Sequence, residues 1–345
     1  MIAAIRTRLT SWEWILATLT ILTIAGSAVF NENFWTAFNI QTSISTMAEK
    51  SLMVLALALV IIVREIDISV ASIAGLSAVT SGLVLDSGGS IPVAVLVALL
   101  TGAACGAING FFVAVLGLPA LLVTLGTLAL FRGLGYVLLG GTPLSNIPAS
   151  LIAFGNNPIP GTFIPLDIIP FLVLAPFFAV ALHRMVVGRR IYAIGAGPDT
   201  AKYSGVKSMK IKFLLFLIGG MICSIAGVIN IGKNSSATPA AAFGFELDAI
   251  TIVFLGGVSS LGGRGRMSGV YWALLLIMTL RSVLQLESAG GYTQNTAVGL
   301  LLILSLLLTN IVRRTSSAIV LRKAKAARMQ AMYETAPEPQ AASTT

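Results

Sequence analysis

Apolar stretches of membrane-spanning length recur along almost the whole of this 345-residue chain, and they constrain its fold more than any other feature. A bilayer core is about 30 Å thick, so a helix that crosses it needs roughly 20 largely apolar residues. Ten such segments are read at 13–30, 43–63, 67–85, 91–116, 118–139, 164–187, 211–232, 248–261, 268–286 and 293–312. With 56% hydrophobic residues, 10% charged residues and a mean hydropathy of +0.93, the chain carries too little charge to cover a soluble surface. It also lacks the extended apolar–polar alternation of an outer-membrane barrel. The expected fold is all-α: a polytopic membrane protein with about ten transmembrane segments. Segments 67–85, 118–139 and 248–261 are short or interrupted by Gly, Ser and Thr. They are expected to be broken or re-entrant helices lining a protein-enclosed cavity, where irregular backbone is tolerated.

The cations test this count. With the N-terminus inside, the cytoplasmic ends hold Arg6, Arg8, Arg64, Arg184, Arg189, Arg190, Lys202, Lys207, Lys210, Lys212, Arg264, Arg266 and the cluster from Arg313 to Arg328. The external loops then hold only Lys233. Such a bias orients a membrane protein, and dropping one helix would destroy it. The net charge of +9 therefore reflects topology and does not imply a nucleic-acid partner. The same reading places both termini in the cytoplasm. Residues 1–312 form the membrane domain, and 313–345 form a basic tail that lies along anionic lipid headgroups and ends in a disordered composition. The first apolar run lacks a convincing cleavage site and is read as a retained helix. Residues 140–163, rich in Gly, Pro, Asn and Ser, read as an external loop.

Catalytic equipment is sparse. The single histidine, His183, lies beside Arg184 at a helix end, and Cys105 and Cys223 lie inside apolar runs as small core residues. A Walker phosphate loop is missing, so ATP is not bound by that route. No cofactor and no metal is expected. Lys50 follows Glu49, and a local charge pair is the expected arrangement there. Arg132 falls within the segment 118–139. A central arginine costs roughly 2.5–3.5 kcal/mol on insertion scales and each leucine returns about 0.3–0.6 kcal/mol, so the leucine-rich span survives with Arg132 facing protein or water.

Three segments could carry function. In 188–210, Pro198, Asp199 and Thr200 supply a cap and a helix start and Gly205 a left-handed end. The helix between them holds only Ala201, Lys202, Tyr203 and Ser204, too short to stand alone in water. A rigid cytoplasmic knob of this kind is what a separate ATPase would push on; an amphipathic connector is the alternative. In 246–269, Glu246 and Asp248 sit at a helix start, and Gly256-Gly257 and Gly262-Gly263 allow either a break or tight packing. In Arg64-Glu65-Ile66-Asp67-Ile68-Ser69, Asp67 and Ser69 serve as a helix cap or as substrate contacts. Asn109, Thr124 and Thr127 must find partners in lipid and are expected to face the interior. The pathway candidates are Asp67, Ser69, Asn109, Thr124, Thr127, Arg132, Gly256 and Gly257.

At these motifs the chain resembles the permeases of bacterial carbohydrate-uptake ABC transporters, the group serving ribose, xylose, galactose, rhamnose and autoinducer-2. The similarity runs from about residue 40 to 312. It rests on Asn109-Gly110, Pro119, Thr124-Leu125-Gly126, Arg132-Gly133, Glu246 to Ile250, Leu255 to Gly257 and Gly262-Gly263, all in the family's order. Where that family reads Gly-Gly-Ile-Asp-Leu-Ser, this chain has Arg64-Glu65-Ile66-Asp67-Ile68-Ser69. The resemblance implies a cytoplasmic ATP-binding subunit docking on Asp199–Gly205. It also implies a periplasmic or lipoprotein sugar-binding protein and a second permease subunit, identical or paralogous. The Arg64 region looks most like the autoinducer-2 and rhamnose branch. The rival readings are an ion-coupled secondary transporter, whose intramembrane carboxylates are scarce here; an ABC permease for branched-chain amino acids; and a membrane enzyme, for which no nucleophile–base set is present.

Overall fold

The computed structural model describes residues 12–140, 142–240, 242–304 and 307. The expected tail 313–345, with Arg6 and Arg8, lies outside the described residues. Every one of the ten expected segments has a helix: α1 (Trp12–Phe30), α2 (Ala37–Ile62), α3 (Val70–Asp86), α4 (Ile91–Gly110), α5 (Ala120–Leu139), α7 (Ile169–Arg184), α10 (Ser208–Asn234), α11 (Phe245–Leu255), α12 (Met267–Leu286) and α13, whose described residues begin at 291. A π-helical turn, Phe111–Val115, extends α4. The remaining helices are α6 (Ala149–Asn156), α8 (Val186–Ala196) and α9 (Pro198–Tyr203). No strand occurs among the described residues.

Among the described residues seven helices have the length and hydropathy to span a membrane; α5, expected to be broken, is one of them and runs uninterrupted, and the 17-residue α3 is a shorter apolar helix. The chain is a multi-pass membrane protein. At 1.5 Å per residue the 11-residue α11 is only about 16 Å long, half a crossing, as a broken helix requires. Residues 140–163 are not loop throughout. Pro148 ends the approach in an extended conformation, and α6 then packs its Gly155 against the backbone of Gly232 and Lys233 on α10.

The long helices α2 and α10 form the centre, buried along most of their length. Lipid gives helices no hydrophobic reason to associate, so close approach through small residues takes over. Gly102, Gly106 and Gly110 repeat every fourth residue on α4; a Cβ at the first two would strike the α10 backbone at Gly220 and Phe216, and one at Gly110 would crowd Phe213. On the other side of α10, Gly227 lies against the backbone of Ala74 on α3.

Polar pairing fixes the remaining helices. Lys50 Nζ lies 2.7 Å from Asp248 Oδ2, and Arg281 Nη2 lies 2.6 Å from Asp248 Oδ1. The pairing of Lys50 is therefore between helices and replaces the local Glu49 pair expected from sequence. Glu49 instead accepts from Asn230 Nδ2 at 2.9 Å, with Lys233 Nζ 3.8 Å away. Adjacent residues on a helix point about 100° apart, which sends Glu49 toward α10 and Lys50 toward α11. Gln294 and Asn295 on α13 accept from Arg281 at 3.3 and 3.2 Å. Three helices thus meet at one carboxylate, and Arg281 ties in a fourth. Replacing Asp248 by Asn leaves two buried cations against a neutral amide; breaking such pairs costs about 3–5 kcal/mol. D248N is expected to unfold at clearly lower temperature in detergent than the parent, whereas Lys202→Ala on the exposed α9 is expected to leave the midpoint unchanged.

Candidate functional site

At the end of the bundle that carries Arg64, five chain segments converge. Pro198 occupies the first turn of α9 with Gly197 as its N-cap, so the helix starts on Pro198 and no side chain caps it. Gly205, at φ +78°, ends it. Gly205 N donates to Lys202 O at 3.1 Å and Val206 N to Ala201 O at 3.0 Å, the paired bonds that close a helix on a left-handed glycine. Only Ala201 faces inward. Asp199, Thr200, Lys202, Ser204 and Gly205 are exposed, and Tyr203 is 90% exposed. A tyrosine this bare, on a helix too short to stand alone, projects as a rigid knob.

The knob's base is α8, and its C-terminal carbonyls are held from α2. Arg64 Nε donates to Gly195 O at 2.6 Å and Arg64 Nη2 to Ala196 O at 2.9 Å. Arginine belongs there electrostatically, because a helix C-terminus carries a partial negative charge. Its backbone is strained, with φ +70°. Glycine adopts that conformation freely, which is why a Gly-Gly pattern suits this turn and why Arg64 needs two bonds to hold it. Beside it Glu65 pairs with Lys212 at the start of α10.

The loop between α11 and α12 closes the joint. Gly263 N donates to Ile62 O at 2.8 Å, and Gly263 presses on the Gly195–Ala196 backbone so closely that no Cβ fits. Tyr192 OH on α8 donates to Gly265 O at 2.6 Å. Burial pushes the Tyr192 phenol up to about 12, against the opposing pull of Arg266, so it remains a donor throughout the neutral range. Upstream, Gly256 packs on Val270, and Gly257, at φ +83°, lies under the Trp12 ring, whose Nε1 donates to Leu255 O at 2.7 Å. Both glycines occupy the break after α11, packed against α1 and α12.

A second cluster sits deeper. Asp67 Oδ1 accepts from Ser69 N at 2.9 Å and from Ser69 Oγ at 2.6 Å, and Asn109 Nδ2 donates to Ser69 Oγ at 2.8 Å. Thr124 Oγ1 lies 3.2 Å from Ile66 O and accepts from Ile68 N at 3.3 Å, while Thr127 Oγ1 lies 3.4 Å from Thr124 O. The structure therefore brings Asp67, Ser69, Asn109, Thr124 and Thr127 into one buried network between α3, α4 and α5. Arg132 stands apart from it, with its guanidinium over the Phe243 ring at 4.8 Å. Sequence reasoning missed Tyr192, Gly195, the Glu65–Lys212 pair and Phe243. Apart from Glu65 none lies in a quoted motif; only the Gly-Gly replacement at 64–65 signalled that something there was holding strained backbone.

No group of three or more His, Cys, Asp or Glu side chains fit to hold a metal occurs among the described residues. What the geometry defines is a multi-pass membrane protein with an exposed knob at one end tied into its helix ends. The chain belongs to the family described as the branched-chain amino acid transport system / permease component, whose model matches residues 37–310. It is 32% identical to the ribose import permease protein RbsC of Escherichia coli K12 over 294 residues, 84% of this chain and 91% of that protein. To the autoinducer 2 import system permease protein LsrC of Enterobacter sp. strain 638 it is 36% identical over 264 residues, 76% of each chain. LsrC of Yersinia enterocolitica is 32% identical over 84% of this chain. The resemblance read from the motifs thus holds. No solved structure matches the chain. As a permease subunit it is not itself catalytic.

The Arg64 joint gives a graded expectation. Arg64→Ala loses both bonds and keeps the left-handed strain, whereas Arg64→Gly loses the bonds but relaxes the backbone by about 1 kcal/mol. Thermal unfolding should rank the parent above R64G and R64G above R64A; an R64A protein at least as stable as R64G contradicts the assignment.

Proposed function

We propose that this chain is the transport subunit of an ATP-driven sugar importer in a bacterial inner membrane, with both termini in the cytoplasm. The observation that carries the reading is the bare α9 knob, bound through α8 to the end of α2 and to the α11–α12 loop. A separate ATP-binding subunit docks on Asp199–Gly205, chiefly over Tyr203. Its closure on nucleotide displaces α8, and Arg64, Gly263 and Tyr192 carry the displacement to α2 and to the broken helix α11. The cations support the orientation. Arg64, Arg184, Arg189, Arg190, Lys202, Lys207, Lys210, Lys212, Arg264 and Arg266 all lie on segments that meet at the joint, the distribution that marks a cytoplasmic face.

The sugar cargo is supported by the ribose permease relative and by the shared motifs. The importer further comprises an exported or lipoprotein sugar-binding protein and a second permease subunit, with the pathway where the two permeases meet. Residues 1–312 form the permease domain. Within it the buried Asp67–Ser69–Asn109–Thr124–Thr127 network serves as the fixed wall against which α11 moves. A branched-chain amino acid cargo is the second reading, favoured by the description of the family itself.

Tyr203→Ala and Gly205→Val are expected to insert normally and to reduce ATP-dependent uptake at least about tenfold, because each removes a contact or distorts the knob without touching the core. Uptake by proteoliposomes containing the assembled transporter, together with the amount of each variant in the membrane, measures this. Parental uptake by both variants, or transport that persists without nucleotide and collapses with an ionophore, contradicts it.

A further inference from the structure

The α10–α11 connection delivers a half-helix into the middle of the protein. Ser235 and Gly244 turn the chain with φ +53° and +85°, and Pro239 wedges between Gly75 of α3 and Gly135 of α5. α11 then starts beside Lys50, whose ammonium lies 4.6 Å from the centre of the Phe245 ring. Lys50 sits near the midpoint of α2, and Arg132 is past the midpoint of α5. Helices that begin inside a membrane protein point their unsatisfied N–H groups into its interior.

Three side chains surround this start, and two of them are unsatisfied. Arg132 leaves Nε and Nη2 buried without a hydrogen-bond partner. Glu246, only 9% exposed, leaves Oε2 in the same state. Buried polar atoms are nearly always paired, and a lone buried charge costs more than a lone buried dipole. Arg132 and Glu246 form no ion pair within 4.0 Å among the described residues. Phe243 lies beneath the guanidinium, three residues before Glu246 in the chain, and is 69% exposed, presenting aromatic surface beside the orphaned Arg132 atoms.

The geometry points to a binding site for a neutral polyhydroxylated solute in transit, formed by Arg132, Phe243 and Glu246. A hydroxyl accepts and donates at once, so one hydroxyl, or a vicinal pair, can accept from the Arg132 fork and donate to Glu246 Oε2 across the gap between them. The C–H face of a sugar ring covers the exposed Phe243. The site offers donors from Arg132 and an acceptor from Glu246, so a ligand that only donates or only accepts would leave one of them unpaired. This assignment rests on the sugar-importer reading and adds the residues that touch the cargo. A zwitterionic amino acid also brings both donors and acceptors, and leucine is therefore the competing probe.

The test uses the purified full-length chain in nanodiscs. Thermal shifts are titrated with D-ribose, D-xylose, D-galactose, L-rhamnose and L-leucine. At least one of the sugars is expected to raise the midpoint of the parent. Arg132→Met should weaken that apparent affinity about tenfold or more, the loss of a charged hydrogen bond. Phe243→Ala, which truncates an exposed ring and leaves folding intact, should weaken it roughly two- to tenfold. Sugar shifts of equal size in the parent and in both variants overturn this site and leave the importer reading standing. A shift by leucine and by none of the sugars overturns both. No shift by any probe overturns the site.

Discussion

One carboxylate organises the membrane-buried part of this protein. Asp248 holds Lys50 from α2 and Arg281 from α12 at 2.7 and 2.6 Å, and Arg281 reaches on to α13. In a medium that cannot solvate charge, each of these groups requires the others. Asp248 lies one turn into α11, so the same interactions that satisfy the charges fix where the half-helix begins. Its two ends then face different surroundings. The start opens toward Arg132 and Phe243, and the far end runs into the glycine-rich loop that meets Arg64 and α8.

The joint at that far end depends on backbone groups more than on side-chain packing. Arg64 bonds two carbonyls, Gly263 bonds a third, and Tyr192 a fourth. Carbonyls at helix ends have no partner in their own helix. Here the free ends of α2 and α8 and the α11–α12 loop satisfy one another. In the proposed mechanism a load on the knob enters the helix axes through these bonds. The glycines at 195 and 263 permit contact too close for any Cβ, leaving little slack between the parts.

Much of this was legible in the chain. The ten segments, the half-length of the segment after Glu246 and the left-handed end at Gly205 all follow from hydropathy, charge and turn chemistry, because each is set within a few residues. Partners across helices were not legible. Glu49 and Lys50 are neighbours in sequence and suggest a local pair, yet their side chains diverge to Asn230 and Asp248. That outcome depends on helix rotation, which no local pattern encodes. The helix at Ala149–Asn156 was hidden by its flanking prolines and glycines, which read as loop. Arg64 illustrates the intermediate case. Its sequence position flagged a missing glycine, but only the fold shows the two carbonyls that compensate for the strain.

The central claim is that the knob, the end of α2 and the α11–α12 loop move as one body when the partner ATPase closes. Spin labels placed through Lys202→Cys and Leu261→Cys in the reconstituted transporter measure it directly by pulsed dipolar spectroscopy, with a second pair at positions 202 and 288 for comparison. On adding ATP, the account predicts that the 202–261 distance stays constant while the 202–288 distance shifts. A 202–261 distance that changes with nucleotide would contradict it.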